Sequence, residues 1–373
     1  MRITSWRCHL VYEEAVSKLA TSYGPPMSVR PHVILELHTE DGQIGYGEAS
    51  PLHRFTGETA ASVRFMLESE FLPAIEGMDP MDMAAIHAKM AYLPANHTSK
   101  CCVDMALHDL VGRALDQPVY NLLGGASREL VKVTRPMGIL PIDEAVQEAT
   151  RWVSLGYRAL KMKVGEGVAA DAARVKAVRE AVGHEVTIRI DANQGYSVAE
   201  AIRLGRAVED AEVEYFEQPV AAWDLEGLAE VRRGAGIAVG ADESLQSLEA
   251  AMELARRRSA DVFVIKLIKL GGLFEARKVA AIAEAAGIDL VVVSPFETHL
   301  GAASGIHFAI ASPLCRRAQE LSIFLVKPDR EGCRIAGKPG WVDRPTVPGL
   351  GVDGAAILAS MEGITPLEDS GGV

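Results

Sequence analysis

ALKMKVG (159–165), TIRIDANQGY (187–196), VEYFEQP (213–219), IAVGADES (237–244) and VFVIKLIKLGG (262–272) decide the fold. Each is a short apolar run that ends in charge, and amphipathic helical stretches separate them. The charges recur regularly: Lys161, Asp191, Glu217, Asp242 and Lys266 follow one another at intervals of 30, 26, 25 and 24 residues. One charge per strand–helix unit is the spacing of a parallel β/α barrel, where all strand C-termini open on one mouth. Parity agrees. Alternate residues of a strand share a face, so Lys161 and Lys163 point one way and Leu160 and Met162 the other. Asp191 shares a face with Arg189, Asp242 with Gly240 and Ala238, and Lys266 with Val264. The charged groups therefore point inward at the rim.

Working outward, β-like runs are expected at 131–137, 158–163, 187–192, 212–217, 236–241, 261–267, 289–294 and 317–320, the last being the weakest. Helical stretches at 142–155, 168–182, 198–210, 246–258 and 273–286 lie between them. Eight strands alternating with helices favour a closed barrel over an open sheet. The N-terminal part differs. PHVILELHT (31–39), the turn EDGQ and IGYGEA (44–49) form a β-hairpin signal, and helical periods follow at 59–75, 81–90 and 99–115. The expected organisation is an α+β capping domain at 1–128, a barrel at 129–327 and a Gly- and Pro-rich segment at 328–373 that returns to the cap.

The chain has 373 residues, 38 Lys plus Arg and 50 Asp plus Glu, for a net charge of −12. That balance argues against nucleic acid or an anionic membrane as the main partner, since both require a basic footprint. It leaves an anionic small substrate open, because net charge does not describe one pocket. No apolar run has the length of a membrane span, and the N-terminus lacks the apolar core of a signal peptide. Five cysteines without a CxxC suggest reduced thiols and a cytoplasmic location.

Three carboxylates converging from adjacent strands repel one another unless a cation joins them. Oxygen ligands suit Mg²⁺, with Mn²⁺ as a near competitor. Asp191, Glu217 and Asp242 are the candidate ligands. The lysine pair flanks them on one side and Lys266 on the other, which suggests proton transfer at carbon: a metal-held substrate carboxylate would let the α-proton leave as an enediolate forms. A lysine base must be neutral near pH 7, and a neighbouring ammonium and burial both lower its pKa. Lys161 would have that effect on Lys163. Lys269 is read as a rim or surface lysine and left outside the acid/base set, and Asn193 as a residue fixing its loop. His299, His307, the cysteines and the Gly271-Gly272 turn are read as structural. A Schiff-base aldolase on Lys163 or Lys266 is a rival, although it needs no carboxylate triad. So is a non-catalytic binding protein on the same barrel.

At these residues the sequence resembles the enolase superfamily, and within it the muconate lactonizing enzyme subgroup of the mandelate racemase/muconate lactonizing enzyme family. The resemblance takes in DGQIGYGEASPL, FTGET and CCVDMALHDLVGRALDQPVYNLLGG, and continues through the barrel motifs quoted above. It implies a modified (β/α)7β TIM-type barrel under an N-terminal α+β cap. It also implies Mg²⁺ on Asp191, Glu217 and Asp242, Lys163 and Lys266 as acid/base groups on opposite substrate faces, and Lys161 in support. Glu297, in SPFETHLG (294–301), matches the Glu of the subgroup's motif near the seventh strand. Subgroup activities include muconate cycloisomerization, o-succinylbenzoate synthesis, and racemization or epimerization of N-acylamino acids, dipeptides and proline derivatives. Dipeptide epimerases carry Asp-x-Asp at the eighth strand. Here that place reads Glu320-Leu321-Ser322, and ELSIFLV is nearer the cycloisomerase pattern. A muconate-cycloisomerase-like activity is expected, with racemization, epimerization or an o-succinylbenzoate-synthase-like dehydration as the alternative. Tyr23, Arg30 and Ser294 are candidate substrate contacts, Arg30 for a distal carboxylate. The partner is a small-molecule carboxylate, and a homo-oligomer is expected.

Overall fold

The structure is a computed structural model that describes residues 1–14, 29–294, 296–321, 335–361 and 363–364. Three antiparallel strands open the chain: β1 (Ile3–Glu14), β2 (Val29–Thr39) and β3 (Ile44–Ala49), in the order β1-β2-β3. Val33, Leu35 and Leu37 of β2 are fully buried, as their alternation requires, against the helix His97–Ala114 and its neighbours. The helical period expected over 59–75 is not one helix. It runs as Ala60–Met66, a π turn Leu67–Phe71 and Leu72–Ile75, with Pro73 in the first turn of the last piece.

The run expected at 131–137 is two strands with different partners. The strand β4 (Leu130–Lys132) pairs antiparallel with β13 (Trp341–Asp343), the second strand of a hairpin with β12 (Gly337–Lys338). Only β5 (Arg135–Met137) enters the barrel. From it a parallel sheet runs through β6 (Ala159–Lys163), β7 (Thr187–Asp191), β8 (Val213–Glu217), β9 (Val239–Ala241), β10 (Val262–Ile265) and β11 (Asp289–Val292), each beside the next. The weak eighth run is no strand. Isolated bridges at Gln319 to Val133 and Glu320 to Val293 join the two edges of the sheet. The fold is thus an α/β barrel of the (β/α)7β type with a β-rich N-terminal cap.

Side-chain direction follows the parity of the sequence. Leu160, Met162, Ile188 and Ile190 face the helices in the main core, whereas Tyr215, Val262, Val264, Val291 and Val293 fill the barrel interior. Arg189 lies there too, fully buried. Its guanidinium donates to Glu214 Oε2 (2.5 Å), Thr134 Oγ1 (2.9 Å) and the Ala318 carbonyl (2.6 Å), tying the closing segment to the sheet. This packed floor leaves the C-terminal mouth as the place for chemistry.

Candidate active site

The strand ends deliver the charged groups together. The register places Lys163 beside Asp191 and Asp191 beside Glu217 across β6, β7 and β8. Lys163 Nζ donates to Asp191 Oδ2 (2.5 Å) and Asn193 Oδ1 (2.7 Å). Lys161 Nζ stands among three carboxylates: Glu320 Oε2 at 2.7 Å, Glu217 Oε1 at 3.1 Å and Asp191 Oδ2 at 3.2 Å. On the other side of the mouth Lys266 Nζ donates to Asp242 Oδ2 at 2.5 Å. All these side chains are buried or nearly so.

Lys269 is not a rim lysine. It is fully buried, and its Nζ donates to Asp242 Oδ1 (2.7 Å), the Asp242 carbonyl (2.5 Å) and the Val264 carbonyl (3.1 Å). The cause is a change of period. The strand β10 ends at Ile265 and the short helix Leu267–Leu270 begins at once, so residues three apart fall on one side. At Lys161 and Lys266 the opposing pressures on the ammonium resolve upward. Burial pulls both ammonium groups down, but Glu217, Glu320 and Asp191 more than offset this at Lys161 and hold it well above the usual range. Asp242 and Glu243 do the same at Lys266.

The acids show the reverse pressures. Burial works against the Asp191 anion, yet Lys163 and Lys161 hold its carboxyl far below the ordinary range. Glu217 goes the other way, pushed up by burial and by the charge of Asp191, with Lys161 opposing. A buried carboxylate so disfavoured as an anion marks a place short of positive charge. Among the described residues no three His, Cys, Asp or Glu side chains are gathered as a metal cage, because ammonium groups stand between the acids. The donor set itself, three buried carboxylates from neighbouring strand ends with Glu217 under-compensated, fits a hard divalent cation.

The seventh loop supplies Glu297, buried, with Ser294 Oγ donating to its Oε2 at 2.5 Å. Burial and the nearby Glu48 push its carboxyl up to about 8, while Ser294 and Lys266 pull the other way. A Cβ at Gly301 would stand 2.7 Å from Glu297 Cβ, so a bare residue there lets Glu297 fold back over the helix start. The cap reaches the site through Phe55, whose ring centre is 4.1 Å from Lys266 Nζ. Arg30 lies with its guanidinium carbon 3.3 Å from the ring centre of Phe296. Tyr23 lies outside the described residues. His307 is structural, as expected: it is buried, and its Nδ1 accepts from Tyr120 N at 3.1 Å. Sequence reasoning passed over Phe55, and it read Asn193 as fixing its loop, Lys269 as a rim or surface lysine and Glu320 only as a departure from Asp-x-Asp, whereas the structure places all four beside the charged cluster. For Asn193 the usable signal was its place two residues after Asp191; in the structure it takes a positive φ of 43°.

This barrel, its cap and the array of lysines and acids gather charged groups at the barrel mouth, the place where barrel enzymes do their chemistry. The family described as "Enolase C-terminal domain-like" matches residues 144–355, and "Mandelate racemase / muconate lactonizing enzyme, N-terminal domain" matches residues 13–124. The hydrophobic dipeptide epimerase of Enterococcus faecalis is 38% identical over 313 residues, covering 82% of this chain and 87% of that protein. Muconate cycloisomerase 1 of Rhodococcus opacus is 36% identical over 337 residues, covering 88% and 89%. The crystal structure of the Enterococcus faecalis dipeptide epimerase complexed with Mg and the dipeptide L-Leu-L-Tyr superposes with a TM-score of 0.88 at 34% identity, over 94% of this chain and 99% of that one. The chain belongs to the mandelate racemase/muconate lactonizing enzyme family of the enolase superfamily. Its relatives are epimerases, racemases and cycloisomerases, and it is an isomerase of that superfamily. Among the described residues no helix is long and apolar enough to cross a membrane.

Proposed function

We propose that this enzyme moves a proton at the carbon next to a substrate carboxylate, with Lys163 and Lys266 as acid/base groups and Asp191, Glu217 and Asp242 as ligands of Mg²⁺, for which Mn²⁺ would substitute. One observation carries the reading: two ammonium groups lie on opposite sides of one mouth, each 2.5 Å from a different member of the carboxylate set. The bound cation would supply positive charge to the substrate carboxylate and to the enediolate formed from it. Lys163 would hold or deliver the proton from one side and Lys266 from the other. Lys161, buried beneath them, would balance charge. Glu297 and Ser294 would line the same pocket. Phe55 closes over Lys266 and excludes water.

The specific reaction we propose is cycloisomerization of a muconate-like dicarboxylate. Glu320 is engaged by Lys161, so the closing segment at 319–320 offers no free acid for a dipeptide ammonium. Arg30 supports a second anionic group on the substrate. Its Nε is buried without an acceptor, no acid among the described residues forms an ion pair with it, and burial lowers its pKa to about 10. A racemase or epimerase is the second reading, favoured by the opposed lysines, since 1,1-proton transfer uses both. We further propose a cytoplasmic homo-oligomer.

The test is a screen in D₂O with Mg²⁺ across muconates, N-acylamino acids, dipeptides and proline betaines, reading product and solvent deuterium at the α-carbon. Turnover is expected with one class, lost on EDTA treatment and restored by Mg²⁺. Full activity after metal removal, or a borohydride-trapped lysine adduct with a keto substrate, would replace this reading with the aldolase. If Arg30 holds a distal carboxylate, Arg30→Met should raise KM for a dicarboxylate about tenfold or more with kcat little changed. An unchanged KM removes Arg30 from the pocket.

A further inference from the structure

The helices after the third, fourth and fifth barrel strands begin on caps from their own loops. Ser197, Asp224 and Ser247 accept from the amides of Glu200, Gly227 and Ala250. The helices after the sixth and seventh strands are held differently. Leu273–Ala286 follows Gly272, which has no side chain to cap with, and its first amides, Leu273 N and Phe274 N, donate to Asp104 at 2.6 and 3.3 Å. At His299–Ala311 the local Thr298 hydroxyl accepts from Leu300 N at 3.1 Å. Glu48 takes three further donors: Thr298 N (2.9 Å), Thr298 Oγ1 (2.6 Å) and Gly301 N (2.9 Å). Asp104 belongs to the helix His97–Ala114 and Glu48 to β3, so both acids come from the N-terminal cap.

Each acid is built in. Glu48 and His32 have fully buried side chains, and His32 Nδ1 lies 2.8 Å from Glu48 Oε1. Asp104 is buried with His87 Nε2 at 2.8 Å and His108 Nδ1 at 3.3 Å. Gly272, at φ +111°, is required by this contact: a Cβ there would lie 2.3 Å from Asp104 Oδ2. The two anchored helix starts directly follow the loops that carry Lys266 with Lys269 and Ser294 with Glu297. Carboxylates at helix N-termini are favoured by both the exposed amides and the dipole, and buried charge-assisted hydrogen bonds of this kind fix geometry tightly.

We propose that Glu48 and Asp104 are positioning residues of the reaction: from the capping domain they clamp the sixth and seventh catalytic loops, so Lys266 and Glu297 take their working places only when the cap is docked. The inference rests on the proton-transfer reading above. In Glu48→Gln the amide has one oxygen for four donors, and its NH₂ meets either Gly301 N or the His32 and Thr298 N pair. The loop is released while side-chain volume is kept.

The experiment uses the full chain as Glu48→Gln and Asp104→Asn, with Thr298→Val as a further variant that deletes one donor to Glu48, and the local cap on Leu300 N with it, and leaves the acid in place. Readouts are amide hydrogen exchange, kcat and KM on the substrate found in the screen, and Mg²⁺ affinity by calorimetry. Glu48→Gln should speed exchange at 298–301 and lower kcat by about 10–100-fold, with KM and Mg²⁺ affinity nearly unchanged. Asp104→Asn should do the same with exchange confined to 267–274, and Thr298→Val should fall between Glu48→Gln and the wild type. Faster exchange with kcat intact overturns the proposal, as does a kcat loss matched by an equal loss of Mg²⁺ affinity. A wild-type enzyme that exchanges deuterium with no carboxylate substrate overturns the proton-transfer reading instead.

Discussion

Lys266→Ala should lower turnover by about 10²–10⁴-fold, the range for loss of a general acid or base, while the fold and Mg²⁺ affinity survive. The separation follows from how Asp242 is held. Its Oδ2 faces Lys266 and its Oδ1 faces Lys269. Removing Lys266 leaves the carboxylate paired with the deeper ammonium, so no buried anion is stranded. What disappears is the proposed proton carrier at the mouth, under Phe55. The measurements are kcat on the substrate from the screen, calorimetric Mg²⁺ titration and the thermal midpoint. Retained activity would remove Lys266 from the chemistry, and a collapsed midpoint would make it a structural lysine. Lys163→Ala beside it separates the two reaction types. In a cycloisomerase one of the two substitutions should be far more damaging than the other. In an epimerase each single variant should still exchange deuterium with one isomer, and the isomer should differ between the two.

How much of this site was legible depended on whether a residue's partners were local. Lys161, Lys163, Asp191 and Glu217 were readable because strand parity survives folding: period two puts them on the inner face, and the parallel register lines them up. Lys269 was not, because the strand pattern was carried past Ile265 into residues that form a helix. The first and last barrel runs failed for a related reason. An apolar run announces a strand but not its partner, so 130–132 could pair with 341–343 outside the barrel while 319–320 closed it with two bridges. Glu48 looked like an ordinary residue of a hairpin strand. Its partner Thr298 lies 250 positions away, and nothing in either local pattern marks the pair. Distant carboxylate contacts of this kind are set by how cap and barrel dock, which periodicity does not encode.

Lys269→Met should be the converse of Lys266→Ala, a loss of stability first and of activity as its consequence. The Lys269 side chain is wholly buried, and its ammonium satisfies Asp242 Oδ1 and the carbonyls of Asp242 and Val264 at once. Burial pulls this ammonium down and Lys266 adds to that, with Asp242 opposing. A buried charge in that position persists because its acceptors need it. Methionine keeps much of the volume but leaves two carbonyls without this donor and half of a buried carboxylate unpaired. Asp242 keeps Lys266, so the cost is that of the stranded acceptors, about 1–3 kcal/mol for each buried group left unsatisfied, enough to lower the unfolding midpoint by several degrees. Saturating Mg²⁺ should recover part of the loss in proportion to its preference for the folded state. Arginine should not rescue, since its planar fork is longer and cannot replace three bonds made by one compact ammonium. A Lys269→Met protein with an unchanged midpoint and unchanged Mg²⁺ affinity would mean that Asp242 is held by Lys266 alone. That result would also weaken the expectation for Lys266→Ala, because the survival of its metal site depends on this second lysine.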